Sequence, residues 1–421
     1  MAEDGARRQS ALRVLARRNF LPFFIGNLLS NCGTWFQNIA QSLLIYRLTG
    51  SAFMVGVVNF AQFAGVILLA PWTGPAADRW DRKRLILVTQ LGSMLVVGAL
   101  AILAATDEGT VPVILVLALL LGLITAFVTP ALQAILPSLV SRDDMGAAIA
   151  MNSVTFNLSR AIGPVAGALI VAKLGIAWAF ALNAGSYAAL VIGILLVHPR
   201  AQPPRPGKRP RLRESLRLVR DDRDLALLLL AVASVSITMD PVNTLGPVFA
   251  TALYHRPDTV AGVLIGAFGG GAVLASFFPA ARPDTPLPRV GVLIAVMAAG
   301  MAGFALAPSF GVALAVLAVA GFGYLSGQTR ATTLLQFRVS DEQRGRIMAL
   351  WSVAFLGSRP IASLLDGALA SAIGPRYATL LMCIPALAAA CALIIHGGRN
   401  APASAETPPL IARRRDNVFG G

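Results

Sequence analysis

The sequence predicts an all-α membrane protein of about twelve transmembrane helices in two pseudo-symmetric six-helix bundles, on three observations: its apolar runs, its distribution of positive charge and an internal repeat. Of 421 residues, 56% are hydrophobic and only 13% charged. The mean hydropathy of +0.71 lies far above that of soluble domains, so lipid is the solvent for most of the chain.

Apolar runs able to cross about 30 Å of hydrocarbon fall at roughly 20–46, 52–72, 84–105, 112–137, 146–172, 176–198, 224–251, 259–281, 289–308, 311–334, 346–370 and 375–396. The first follows Arg7, Arg8, Arg13, Arg17 and Arg18 and is too long for the core of a secretory leader, so it reads as a membrane helix.

Net charge is +15 and the isoelectric point about 11.1, which in a soluble protein suggests nucleic acid. Here the basic residues crowd alternate loops: the N-terminal arginines, Arg79 to Arg84, Arg142, the cluster from Arg200 to Arg223, Arg282, Arg289, Arg338, Arg344 and Arg346. The intervening loops hold only Arg47, Lys173, Arg256 and Arg376. That asymmetry predicts both termini in the cytoplasm of a cell inner (plasma) membrane and no nucleic-acid partner. Cys32, Cys383 and Cys391 lie in apolar stretches, and His198, His255 and His396 are dispersed. No metal, redox chemistry or cofactor is expected.

The division into halves rests on residues 199–223, too proline-rich and basic for a span. The expected units are an N-terminal bundle over 1–198, this cytoplasmic linker, a C-terminal bundle over 224–398 and a disordered tail over 399–421. Leu212 to Arg223 is either a basic amphipathic helix or a solvated linker. A shift of 199 residues superposes Ser141 on Ser340, Asp143 on Glu342, Phe156 on Phe355, Ser159 on Ser358, Arg160 on Arg359 and Gly175 on Gly374. Two halves related this way are the layout of a carrier that rocks about a central site.

Charges at membrane depth cost a few kcal/mol each unless they face a cavity or a partner. Arg160 and Arg359 lie mid-helix at equivalent points of the repeat, Asp240 lies in the seventh span, and Asp366 is two turns beyond Arg359. A rise of roughly 10.5 Å makes a direct Arg359–Asp366 bridge doubtful, although both share one helix face. Pro241 is expected to break the helix beside Asp240, as at ion or substrate sites in carriers. Asp240 and Asp366 are therefore candidate proton-coupling groups, with a structural salt bridge as the alternative. Arg160 and Arg359 are candidate holders of anionic substrate groups. Asn38 and Gln41 in the first span, Asn59 and Gln62 in the second, and Asn152 and Ser159 in the fifth form a polar interior that either binds substrate or joins helices.

Between the second and third spans stands Gly74-Pro75-Ala76-Ala77-Asp78-Arg79-Trp80-Asp81-Arg82-Lys83-Arg84. It resembles the cytoplasmic signature loop of the major facilitator superfamily, in which the glycine permits close helix approach and the aspartate meets a helix end or an arginine. Arg82 is the expected local partner of Asp78, and Arg344 and Arg346 before the eleventh span belong to the same gating set. Leu48-Thr49-Gly50-Ser51, the stretch Pro130 to Val140, and Arg344-Gly345-Arg346 are similar to the enterobactin-exporter-like and macrolide-efflux-like subgroup. Leu132 departs from it where many members carry arginine. Gly163-Pro164 and Gly167 resemble a shortened antiporter motif, in which proline kinks the helix and the glycines allow close packing.

The resemblance implies a monomeric secondary transporter in the lipid bilayer that exports a small organic molecule in exchange for protons. A proton-coupled importer and an uncoupled facilitator stay open. No Gly-rich nucleotide loop and no nucleophile with a positioned base is present, which argues against an ATP-driven pump or an enzyme. Short soluble tails argue against a receptor or scaffold.

Overall fold

The computed structural model describes residues 13–141, 143–200, 212–278 and 285–399. Within them the secondary structure is helical throughout. The first part holds α1 (Leu21–Thr49), α2 (Ala52–Arg79), α3 (Arg82–Thr106), α4 (Val111–Thr125), α5 (Val128–Leu139), α6 (Met145–Leu174) and α7 (Ile176–Leu196). After α8 (Leu212–Asp221) come α9 (Arg223–Thr244), α10 (Ala261–Ser276), α11 (Leu287–Leu306), α12 (Phe310–Phe337), α13 (Asp341–Leu356), α14 (Ser358–Ile373) and α15 (Pro375–Arg399). The end of the linker, left open by the sequence, is thus helical as α8. The tail beyond residue 399 and linker residues 201–211 lie outside the described residues.

Among the described residues, eleven stretches are long and apolar enough to span a membrane, and each matches an expected run. α1 falls short of that apolarity although it is 29 residues long, because Asn27, Asn31, Thr34, Gln37, Asn38 and Gln41 interrupt it. Those side chains turn toward protein, which lets a polar helix sit among lipid-facing ones. α1 packs on α6 and α7, α3 on α7, and α2 on α4. On the other side, α9 packs on α14 and α15, α10 on α12, and α11 on α12 and α15. Contacts between the two sets run through α2 against α14 and α6 against α10.

Two expected continuous spans are broken and a third breaks at another point than expected, each ahead of a proline that cannot donate to the carbonyl four residues back. Pro130 frees the carbonyl of Ala126, where α4 gives way to α5. Pro360 frees that of Leu356, where α13 gives way to α14. Ala161 occupies the matching place in α6, and that helix stays whole. The break expected at Pro241 lies instead at Leu245, since α9 runs through Pro241 to Thr244 and stops ahead of Pro247. α6 likewise runs unbroken through Pro164.

Gly175 and Gly374, matched by the repeat, adopt one glycine-specific conformation, with φ of 97° and 86° and ψ near 160°. Each makes the turn into the following helix.

At the end of the molecule where α6 begins, Asp144 caps a cluster. It accepts from Ser141 at 2.9 Å and from Arg17 at 3.2 Å, and Arg13 stands 3.4 Å away. The Ser141 hydroxyl first, then Arg13 and Arg17, hold this carboxyl below the ordinary aspartate value. A depressed carboxyl contributes stability above its unfolded value, and that contribution fades as pH falls through the folded one. The clamp is therefore intact at neutral pH, begins to weaken below about pH 4 and is lost only as pH falls through the lower folded value. In thermal melts at pH 7 and pH 3.5, Asp144→Asn should narrow the difference between the two midpoints relative to wild type.

Candidate functional site

Asp240 sits one turn before the end of α9 and is 1% exposed. Its Oδ2 accepts hydrogen bonds from Thr244 Oγ1 at 2.8 Å and from Ser363 Oγ on α14 at 2.7 Å. Arg359, also on α14, places its Nε 3.9 Å from Oδ1 of the same carboxylate. Asp366 lies two turns along α14 from Arg359, fully buried, beside Asp240 and near Cys383 of α15. Neither oxygen of Asp366 has a hydrogen-bond partner among the described residues. The structure therefore pairs Arg359 with Asp240 across helices, and it sets the two carboxyls side by side.

The two arginines lie over aromatic rings. Arg160 of α6 is 7% exposed, donates from Nη1 to Tyr324 Oη at 2.7 Å and from Nη2 to Met239 Sδ at 3.4 Å, and stands 4.4 Å above the Tyr324 ring. Arg359 lies 4.4 Å above Phe63 of α2. A desolvated contact of this kind contributes on the order of 0.5–2 kcal/mol. It steadies a guanidinium without neutralising it. Arg359 has Asp240 for a counter-charge, whereas Arg160 has no acidic partner within ion-pair distance among the described residues.

Asp240 and Arg359 border a central cavity of about 20 Å³, lined also by Trp35, Asn38, Asn59 and Phe63, whereas Arg160 and Asp366 lie outside that lining. That volume holds about one water molecule. Any organic solute reaching these residues needs the helices to move apart.

The remaining predicted polar residues divide in two. Asn38 and Asn59 line the cavity, and Asn59 Nδ2 donates to Thr244 Oγ1 at 3.3 Å. Gln41 and Gln62 lie between α1 and α2 in a directed amide chain: Asn183 donates to Gln37, Gln37 to Gln41, Gln41 to Gln62, and Gln62 to Asn38. Asn152 accepts from Asn27, and Ser159 bonds the carbonyl of Thr155 within the α1–α6 contact. Gly163 faces the Trp35 ring and Gly167 the backbone of Phe36, which brings α1 and α6 close together. Gly74, Asp78 and Arg79 fall in the last turns of α2, with side chains outside the described set. Arg82 begins α3, and Arg344 reaches the carbonyl of Gln336 from α13, on which Arg346 also lies.

Sequence reasoning missed Thr244 and Ser363, though each lies four residues after a singled-out charge and so on its face. It also missed Phe63, Phe268 and Tyr324, which converge from three other helices and carry no local pattern.

One end of the chamber is shut by contacts between the two helix sets. Arg47 of α1 makes a bidentate pair with Asp258, at 2.6 and 2.9 Å, and Tyr46 Oη meets Thr251 Oγ1 at 2.9 Å. Nearby, the backbone N–H of Phe53 donates to Ser371 Oγ at 3.1 Å, and Gly56 lies directly against the Ser363 carbonyl. Because the Arg47 side chain is 45% exposed, its pair is worth no more than about 1 kcal/mol. Arg47→Ala should raise labelling of cysteines behind this seal by roughly twofold to fivefold, and the exchange Arg47→Asp with Asp258→Arg should restore it.

An all-helical, multi-span membrane fold with a buried, charged chamber where two helix sets meet fits a membrane transporter of the major facilitator class, which moves a small molecule. The chain belongs to the family of transmembrane secretion effectors, whose profile matches residues 9–409. Over 372 residues it is 25% identical to the staphyloferrin A transporter of Staphylococcus aureus (strain NCTC 8325 / PS 47), covering 84% of this chain and 89% of that one. Over 366 residues it is 26% identical to the enterobactin exporter EntS of Citrobacter koseri, covering 85% and 86%. Among solved structures it resembles a bacterial homologue of the human lysosomal transporter Spinster, with a TM-score of 0.72 at 15% identity over 92% of this chain and 97% of that one. The structural likeness shows the fold.

Proposed function

We propose that this chain is a proton-driven exporter of a small organic molecule, working by alternating access as a monomer in the cell inner membrane. In this reading α1 is the twelfth span. The spans form two six-helix bundles over 1–198 and 224–398, joined by the linker 199–223, and both termini are cytoplasmic. Loop charge supports that orientation, which places the Arg47–Asp258 seal on the outer face.

The observation that carries the proposal is the Asp240–Asp366 carboxyl pair beside Arg359 and near Arg160, at the seam between the helix sets. Two adjacent carboxyls form a site for a shared proton. An anionic substrate group that draws Arg359 to itself removes the charge balancing Asp240 and so raises its affinity for a proton, which links substrate and proton at one site. The direction of exchange is taken from the exporter among the relatives. A siderophore-like substrate suits this site, since the named molecules of the two relatives are such compounds. A drug-like amphipathic molecule suits its aromatic lining.

The test uses everted membrane vesicles carrying the full chain, energised to an acid lumen and offered staphyloferrin A, enterobactin or a macrolide in turn. Exchange predicts accumulation of at least one probe that collapses when nigericin dissipates the gradient. Equilibration without accumulation, unaffected by the gradient, would favour a facilitator, and uptake only with the gradient reversed would favour an importer.

A further inference from the structure

The geometry points to Asn59 and Thr244 as positioning residues of a hydrogen-bonded latch that ties the charge on Asp240 to closure of the seam between the two helix sets. The inference rests on Asp240 as the proton-coupling group. It assigns a function to two neutral side chains that touch no proton themselves.

The direction of each hydrogen bond follows from what the groups can do. An ionised carboxylate only accepts, and a threonine hydroxyl carries one proton. While Asp240 is ionised, Thr244 commits that proton to Oδ2 at 2.8 Å, so its oxygen is left to accept. The donor it meets is Nδ2 of Asn59, at 3.3 Å, from α2 across the seam. Ser363 reaches the same Oδ2 at 2.7 Å, with the carbonyl of Arg359 as its alternative acceptor at 3.0 Å. All four side chains are buried, with Thr244 at 0% and Asn59 at 8% exposure. Charge-assisted hydrogen bonds are roughly twice as strong as neutral ones, and neighbouring bonds polarise one another. An ionised Asp240 therefore fixes the rotor of Thr244 and strengthens its hold on Asn59. A protonated one releases the rotor and leaves Ser363 free to turn back to its own helix.

The surroundings keep this response local. α14 brings Arg359 and Asp366 to Asp240, α15 brings Cys383 to Asp366, and Tyr324 of α12 bonds Arg160 within electrostatic reach of Arg359. From α2, the helix across the seam, the polar neighbour is Asn59. One turn before Asn59, Gly56 lies against the carbonyl of Ser363, so the latch and the tightest point of the seam share two helices. In the transport cycle the latch holds the empty, deprotonated carrier shut at the Arg47 end. It thereby opposes outward opening of the empty carrier.

The test places a reporter cysteine at Ala52, 8% exposed and packed against Gly367 in the seam, in full-length protein whose native Cys32, Cys383 and Cys391 are replaced. Labelling by a membrane-impermeant maleimide on whole cells is followed from pH 5 to pH 8. With the latch intact, labelling scaled at each pH to that of the same cysteine in unfolded protein is low at pH 8 and rises as pH falls. Asn59→Leu and Thr244→Val should raise labelling at pH 8 by roughly threefold to tenfold, the worth of one buried hydrogen bond, and flatten the profile, whereas Thr244→Ser keeps the wild-type curve. Asp240→Asn should label strongly at every pH. If Asp240→Asn is flat while Asn59→Leu and Thr244→Val both retain the wild-type profile, the latch is refuted and the coupling role of Asp240 stands. If Asp240→Asn itself titrates like wild type, the coupling reading falls and the latch with it.

Discussion

Asp240→Asn is expected to abolish transport driven by a pH gradient, to background within the error of a vesicle assay, while leaving the protein folded and abundant. Asparagine occupies the same volume but offers Thr244 and Ser363 only a neutral, weaker acceptor, which releases the latch while leaving the packing of α9 on α14 in place. It cannot take up a proton, and the remaining carboxyl, Asp366, stands two turns along α14 from Arg359. Exchange of labelled for unlabelled substrate across the membrane needs no net proton movement and should persist in this variant. Coupled transport unchanged from wild type would reduce the Asp240–Arg359 contact to a structural bridge.

Arg160→Lys should weaken substrate binding roughly 10-fold to 100-fold, which is about 1.4–2.8 kcal/mol. Lysine keeps the charge but loses the planar fork that donates to Tyr324 while stacking over its ring. Arg160→Met goes further and separates binding from folding. Replacing a buried cation that has no acidic partner by an apolar side chain of similar length removes a desolvation cost and leaves the Tyr324 and Phe268 rings packed. Its melting temperature should match or exceed that of wild type while transport is lost. Substrate binding by microcalorimetry and a thermal melt of the same samples read both quantities, and a destabilised variant with normal affinity would make Arg160 a structural residue.

Much of this architecture is legible in the sequence because a bilayer imposes strong, simple rules. Apolar length locates the spans, and the paired charges Arg160 and Arg359 are conspicuous because so few charges lie at membrane depth. The prolines were also readable, but their consequences depend on neighbours. Pro130 and Pro360 end helices, whereas Pro164 and Pro241 sit inside helices that neighbouring elements hold together. The repeat matched Arg160 with Arg359 yet gave no hint that one has an acid within reach and the other has only a tyrosine, a thioether and two ring faces. Partners on distant helices carry no period or spacing. The meeting of Asp240 with Ser363, 123 residues later, exists only in the fold.

The central claim is that substrate and proton are exchanged at the Asp240 chamber, and proton flux measured alongside substrate flux tests it most directly. Acid-loaded everted vesicles carrying a lumenal pH dye are given whichever probe accumulates in the uptake assay. The account predicts that addition of that probe raises lumenal pH in wild type, in proportion to the substrate taken up, and leaves it unchanged in Asp240→Asn. Substrate uptake with no proton efflux, or an Asp240→Asn trace that matches wild type, would contradict it.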